Sequence, residues 1–356
     1  MVPPIRVGLL SFAHYHANFW AEVFRDSPLA EFVGIWDDEA ERGQEAASKY
    51  GARFWSDLDA LLAACDAVGV CSATAHHADL IERAAAAACH VLCEKPLATT
   101  LADCDRIEAA VGRAGVVFMQ SFPKRFDPVN RELRRLVHQG ELGQIVLMRV
   151  RHGHLYGLGP GHGMAWAEDA ELAGGGALLD EGIHGADFIR WMFGEPESVM
   201  AMVSHVALGK PLENLGLAVF RYPDGLLCEL VSSTTFAAGD NSVEVFGTTG
   251  AAVLSGVDLA SRDLTEAGFL KVCRLDSGPR RWQISPTVPR FKTGGFHQQN
   301  PLAFLEALSG GRPPPNTLED GRRSLEMILG AYRSARSGRI EPVAPWRAKP
   351  FHVEGE

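Results

Sequence analysis

The sequence predicts an α/β N-terminal Rossmann domain with a parallel, doubly wound sheet, followed by an α+β C-terminal domain with a large, mostly antiparallel, open-faced sheet. Three observations predict it. Over the first third of the chain, short apolar runs alternate with alanine-rich segments, the pattern of parallel βαβ units. Beyond Pro123 and Pro128 the apolar runs lengthen and read as antiparallel strands with one face to cover. A chain of 356 residues also exceeds the usual size of one core. The expected division is residues 1–122, residues 123–345 and a C-terminal tail, 346–356.

In order, Ile5 to Leu10, Glu31 to Trp36, Ala67 to Cys71, Val91 to Cys93 and Val116 to Gln120 read as parallel strands with helices between them. Ligands in such a sheet bind outside the carboxyl ends of the strands, where strand order reverses. Val91-Leu92-Cys93 runs directly into Glu94-Lys95-Pro96, so an amine is delivered to that edge, with proline stiffening the exit. The first turn reads Ser11-Phe12-Ala13-His14-Tyr15-His16 and lacks every glycine of the dinucleotide fingerprint. Ser11 can still turn the chain through its own hydroxyl, and Ala13 adds only a methyl group. Ser11, Phe12, Ala13 and His14 are therefore the expected cofactor contacts of a cramped site. Two readings of His14 and His16 stand: donors to a pyrophosphate, or polar surface.

Asp37, at the end of the second strand, is placed to accept both hydroxyls of an adenosine ribose, which favours NAD over NADP. Ser72 and Thr74 can bond cofactor phosphates or ribose, with His77 opening the next helix nearby; helix capping explains the hydroxyls equally well. Glu94 and Lys95 complete the expected cofactor edge.

The charge of −10 argues against nucleic-acid or anionic-membrane partners, which need clustered Lys and Arg. The seven cysteines are odd in number and contain no CxxC, and several lie in apolar runs as small core residues, so a reducing, cytoplasmic setting is expected. Met1 leads almost at once into the first strand, leaving no room for a signal peptide, and no apolar run is long enough to span a bilayer.

In the second part, Val129 to His138 reads as a helix, and Ile145 to Arg151, Ser198 to Ser204, Leu215 to Tyr222, Leu226 to Thr234 and Ser242 to Gly247 as strands. Gly174-Gly175-Gly176 precedes a helix expected to begin near Ala177, so the backbone there approaches something closely. Asp180 and His184, four apart on that helix, share a face, and a carboxylate beside an imidazole raises its basicity. His152, His154, His162 and His184 raise a metal reading, set aside because no carboxylate or cysteine of ligand spacing joins them. No metal is expected; His154, Tyr156 and Trp166 are assigned instead to substrate hydroxyls. Near the end, Thr317 and Asp320 form a capping-box start for a helix running to about Ser337.

These residues carry a resemblance to the Gfo/Idh/MocA oxidoreductases, the glucose-fructose oxidoreductase and inositol dehydrogenase group. The matching stretches are Cys65-Asp66-Ala67-Val68, Ser72 to His77, Val91 to Leu97, Arg125-Phe126-Asp127-Pro128, Gly140-Glu141-Leu142-Gly143, and Gly174 to Asp180 through Gly182-Ile183-His184. The missing glycines and Ala73, where the family commonly has proline, depart from it. The resemblance implies hydride transfer between a nicotinamide and a secondary alcohol of a sugar, cyclitol or related polyhydroxy compound. It implies catalysis by Lys95, Asp180 and His184, with Arg125 among the substrate contacts, and a homodimer or homotetramer built through the C-terminal sheet. Lys95 is expected to donate to the substrate oxygen, its pKa lowered by a positive nicotinamide, and the choice of base between Lys95 and His184 stays open. Two alternatives are an enzyme that retains NAD and uses transient oxidation for elimination or epimerisation, and a non-catalytic ligand-binding protein on the same scaffold.

Overall fold

The computed structural model describes residues 3–158, 164–205, 211–236, 241–254, 268–275, 281–288 and 295–343. The expected tail, 346–356, and His162 lie outside the described residues. The first part runs β1 (Ile5–Leu10), α1 (Ala17–Asp26), β2 (Ala30–Trp36), α2 (Ala40–Tyr50), α3 (Leu58–Ala64), β3 (Ala67–Val70), α4 (His77–Ala86), β4 (His90–Cys93), α5 (Leu101–Ala114) and β5 (Phe118–Gln120). Its strands pair in parallel in the order β2-β1-β3-β4-β5. The order reverses between β1 and β3, which opens a crevice at their carboxyl ends. Val91, Leu92 and Cys93 are fully buried, as a central strand covered by helices on both faces requires.

A 3₁₀ turn, Pro123–Phe126, leads into α6 (Pro128–His138) and the second part. There follow β6 (Ile145–Gly153), α7 (Ala170–Ala173), α8 (Ala177–Asp180), α9 (Gly182–Phe193), β7 (Ser198–Ser204), β8 (Leu215–Arg221), β9 (Leu227–Ser233), β10 (Ser242–Gly247), β11 (Gly250–Leu254), β12 (Leu270–Arg274) and β13 (Gln283–Ile284). The chain closes with α10 (Gly295–Gly310), α11 (Leu318–Ser337) and β14 (Glu341–Pro342). The described strands form one sheet in the order β13-β12-β11-β10-β6-β9-β8-β7-β14, antiparallel except between β6 and β9. The short strands β11 to β14 carry too little alternating pattern to be read from sequence.

One face of this sheet is covered by α9 and α11, whose Ile183, Phe188, Leu325 and Ile328 pack in one core with Val150, Ala218, Phe220 and Leu230. The other face is open: Met200, Met202, Leu215, Leu217 and Leu227 are exposed on β7 to β9, from 37% at Leu217 to 68% at Met202. Helix α11 starts with the expected capping box of Thr317 and Asp320. Helix α10, with Pro301 inside it, returns to the first part: Phe304 and Leu305 share a core with Trp20 and Phe24 of α1.

Arg125 corrects an expectation. Its guanidinium is 8% exposed and held by both carboxylate oxygens of Asp187 on α9, with Asp320 of α11 at 3.0 Å. Asp320 also receives Arg190. Planar Arg matches paired carboxylates in two places at once, so this residue ties the interdomain turn to α9 and α11, a structural task in place of the expected substrate contact. Despite burial, Arg125 and Arg190 hold the Asp320 carboxyl down at about 2. Arg125→Met is expected to cost about 3–5 kcal/mol, because it strands the buried Asp187 carboxylate. A urea midpoint unchanged from wild type would contradict it. Asp320 is more acidic folded than unfolded, so its contribution is complete above the ordinary aspartate pKa and is lost as pH falls from about 4 towards 2.

Candidate active site

The buried run of β4 fixes Glu94 and Lys95 at the sheet edge, and Lys95 reaches across to the second part. Its Nζ donates to Asp180 Oδ1 at 2.5 Å and to the Asp180 carbonyl at 3.0 Å, while Tyr156 Oη donates to Asp180 Oδ2. Asp180 is positioned from below by Glu213, a residue sequence reasoning missed. The Glu213 carboxylate accepts the N–H groups of Gly176 and Leu178 at 3.0–3.1 Å and the Tyr332 hydroxyl at 2.5 Å, capping the first turn of α8. A Cβ on Gly176 would meet the Glu213 carbonyl at 2.2 Å, so the close approach read from the glycines is to this backbone. Nothing local in the sequence pairs residues 176 and 213.

Burial disfavours the Lys95 charge, yet Asp180, Glu181 and Glu94 outweigh it and raise the ammonium above its ordinary value. The expected depression of this lysine is absent from the protein's own charges. Tyr156, buried beside Asp180, is pushed well above the usual phenol range and keeps its proton.

The helix expected to carry both Asp180 and His184 is broken at Glu181, which ends α8 and begins α9. Asp180 therefore turns to Lys95 and Tyr156 rather than to His184, and the predicted rise in imidazole basicity is corrected. Burial, then the charge of Lys95, pushes His184 well below its ordinary value, so its ring is neutral. Glu181 instead serves His154 and His152: His154 Nδ1 lies 2.9 Å and His152 Nε2 3.1 Å from its two oxygens. A carboxylate does join those histidines, contrary to the reason for setting the metal reading aside.

The first turn also differs from expectation. Ser11 takes φ +69°, where a glycine is usual. The N–H groups of Ser11, Phe12, Ala13 and His14 are bonded to Trp36 O, Asp37 Oδ2, Ser11 Oγ and Cys71 O respectively. Trp166 Nε1 donates across the crevice to Ala13 O at 2.8 Å, so its indole clamps the turn. His14 and His16 are buried, not polar surface. His16 packs on His297 of α10 and lies 3.1 Å from Glu94, whose oxygens are fully buried without a hydrogen bond among the described residues.

Asp37 needs correction too. Its carboxylate accepts the N–H groups of Phe12 and Glu39 and two from Arg42, which fill its acceptor sites before any ribose arrives. Ser72 Oγ bonds Ala73 O. His77 is buried with Nδ1 3.0 Å from Pro96 O, fastening α4 to the turn after Lys95 instead of facing a cofactor. Thr74 and Pro96 line the crevice from one side, with Tyr156, Met164, Trp166 and Asp180 opposite.

A parallel sheet with a reversed strand order, facing a second domain that supplies carboxylate, phenol and imidazole to one buried lysine, defines a two-domain dehydrogenase architecture. The chain belongs to the GFO/IDH/MocA family: residues 6–122 match its oxidoreductase, NAD-binding Rossmann-fold model, and residues 130–253 match the GFO/IDH/MocA C-terminal domain. It is 34% identical over 321 residues to inositol 2-dehydrogenase 2 of Saccharopolyspora erythraea, covering 86% of this chain and 85% of that one. It is 27% identical over 351 residues to myo-inositol 2-dehydrogenase of Thermotoga maritima, covering 95% and 99%. Levoglucosan dehydrogenase, in complex with NADH and levoglucosan, shares the fold with a TM-score of 0.83 at 22% identity, covering 96% and 100%. The protein is thus an oxidoreductase acting on CH–OH groups with a nicotinamide cofactor.

The residues fit such a cofactor at its reactive end, where Thr74 and Pro96 line the crevice opposite Asp180, the partner of Lys95. The occupied N–H groups of the first turn leave the phosphates a weaker grip than glycines give. His184 is expected to remain neutral at pH 6.5, and its proton affinity to rise in Lys95→Met as a neighbouring positive charge is removed. Ring-selective NMR titration reads both; a pKa identical in the two proteins would refute the coupling.

Proposed function

We propose that the enzyme transfers hydride between a secondary alcohol of a sugar or cyclitol and NAD, with the polyhydroxy substrate in the crevice between Thr74 and Asp180. The single observation that carries this is the Lys95–Asp180 pair, a buried ammonium held by a carboxylate that lines the crevice with Tyr156 and Trp166. A bound nicotinamide supplies the hydride acceptor. The chain's own groups handle the proton and the charge. Lys95, kept protonated by its carboxylates, donates to the substrate oxygen and stabilises alkoxide as it develops. Neutral His184 takes the hydroxyl proton, a role that its uncharged ring supports. Tyr156 and Asp180 keep the ammonium aimed, and Trp166 closes the crevice over the first turn.

NAD is preferred over NADP because Arg42, the cation near the ribose end, is paired with Asp37, Asp38 and Glu39 at 2.5–3.0 Å. That corner is net negative and opposes a 2′-phosphate. The occupied first turn also weighs against permanent retention of the cofactor, and so favours a dissociable dehydrogenase over the NAD-retaining alternative.

Lys95→Met is expected to fold, to bind NAD more tightly than NADP by calorimetry, and to lose about 100–1,000-fold or more in turnover across a panel of inositols and aldoses. Wild-type activity in that variant would sink the assignment. The open apolar face of β7 to β9 supports assembly into a homodimer or homotetramer. The double change Met202→Lys and Leu217→Lys is expected to reduce the sedimentation mass to the 38.5 kDa monomer; a wild type already sedimenting at that mass would rule the interface out.

A further inference from the structure

Strand β6 ends in His152-Gly153, and His154 follows directly. Two residues apart on extended chain, the histidines project to the same side, and both imidazoles meet Glu181 at the joint between α8 and α9. Their ligand-type atoms and the Glu181 oxygens all lie within 4.8 Å of one another. His152 is 4% exposed, and neither of its ring nitrogens makes a hydrogen bond among the described residues; its Nε2 stands 3.1 Å from Glu181 Oε2 without the geometry for one. A buried polar group left in this way costs about 1–3 kcal/mol. No other described residue satisfies it.

We propose that His152, His154 and Glu181 form a divalent metal site, with zinc the best-matched ion, immediately beside the Lys95–Asp180 pair. Two imidazole nitrogens and one carboxylate are the donor set of open, three-ligand zinc sites, whereas magnesium and calcium prefer oxygen alone. Tetrahedral bonds of about 2.0–2.1 Å put ligand atoms about 3.3 Å apart. His154 Nδ1 and His152 Nε2 stand 2.9 and 3.1 Å from the two different oxygens of Glu181, so side-chain rotations alone must bring one atom of each residue to that spacing. His154 now donates from Nδ1 to Glu181; on binding, that proton moves to Nε2 and the lone pair turns to the ion. A three-ligand ion keeps a fourth position for water or a ligand oxygen.

A second group, His14, His16 and Glu94, has its ligand-type atoms equally close, so the test must tell the two apart. Full-length protein stripped with chelator is titrated with zinc chloride alone, without nucleotide or sugar, by calorimetry and by metal analysis after dialysis. Wild type is expected to take up one zinc per chain at micromolar or tighter affinity. Glu181→Gln and His154→Ala are each expected to weaken it by at least about 100-fold, beyond the 10–100-fold typical of groups that only support a ligand. His16→Asn should bind as wild type does. Zinc should raise the melting temperature of wild type and not that of Glu181→Gln, a reading that holds even if His154→Ala folds poorly. No uptake by wild type, unchanged affinity in Glu181→Gln, or loss of binding in His16→Asn would each overturn the proposal. Because no turnover is measured, these outcomes are independent of the redox assignment.

Discussion

The structure hinges on one buried contact between domains, the ammonium of Lys95 against the carboxylate and carbonyl of Asp180. Taking two such charges out of water is costly, and their attraction offsets that only when geometry is close and the remaining lone pairs are occupied. Both conditions hold, because Asp180 meets Lys95 at one oxygen and Tyr156 at the other. Much of the surrounding architecture keeps those atoms in place. Strand β4 is too buried to shift, Glu213 caps α8 beneath Asp180, and the Arg125, Asp187, Arg190 and Asp320 cluster locks α9 and α11 to the interdomain turn.

Much of the fold was legible in the sequence for a local reason. Period-two and unbroken apolar runs mark strands wherever one or both faces are covered, and β1, β7 and β10 begin and end at the expected residues. The residues crowding the crevice were legible as well, since a charged pair after a fully apolar strand can lie only at the sheet edge. Side-chain partnership was not. Arg125 and Asp187 are 62 residues apart, and Gly176 and Glu213 are 37 apart. No periodicity encodes which carboxylate a given cation will find. The i, i+4 spacing of Asp180 and His184 misled for the same reason: it assumes one continuous helix, and Glu181 breaks it.

The first turn shows how a fingerprint can be lost without losing the fold. Glycines leave backbone N–H groups bare for phosphate, whereas Ser11, Asp37 and Cys71 supply internal acceptors for those groups. Large rings then occupy the space, with His16 packed against His297 from a helix far along the chain. Stability at this edge comes from the protein itself, at the expense of affinity for a dinucleotide.

That distant helix has an implication for how the molecule is divided. Since α10 lays Phe304 and Leu305 against Trp20 and Phe24, and Gln298 bonds Glu22 of α1 at 2.7 Å across 276 residues of chain, the nucleotide-side lobe is assembled from two distant stretches of the polypeptide. A fragment cut after β5 would leave a tryptophan and a phenylalanine bare to water. Such a lobe cannot be borrowed as a single contiguous cassette; a ribosome must pass α10 before its hydrophobic shell is sealed.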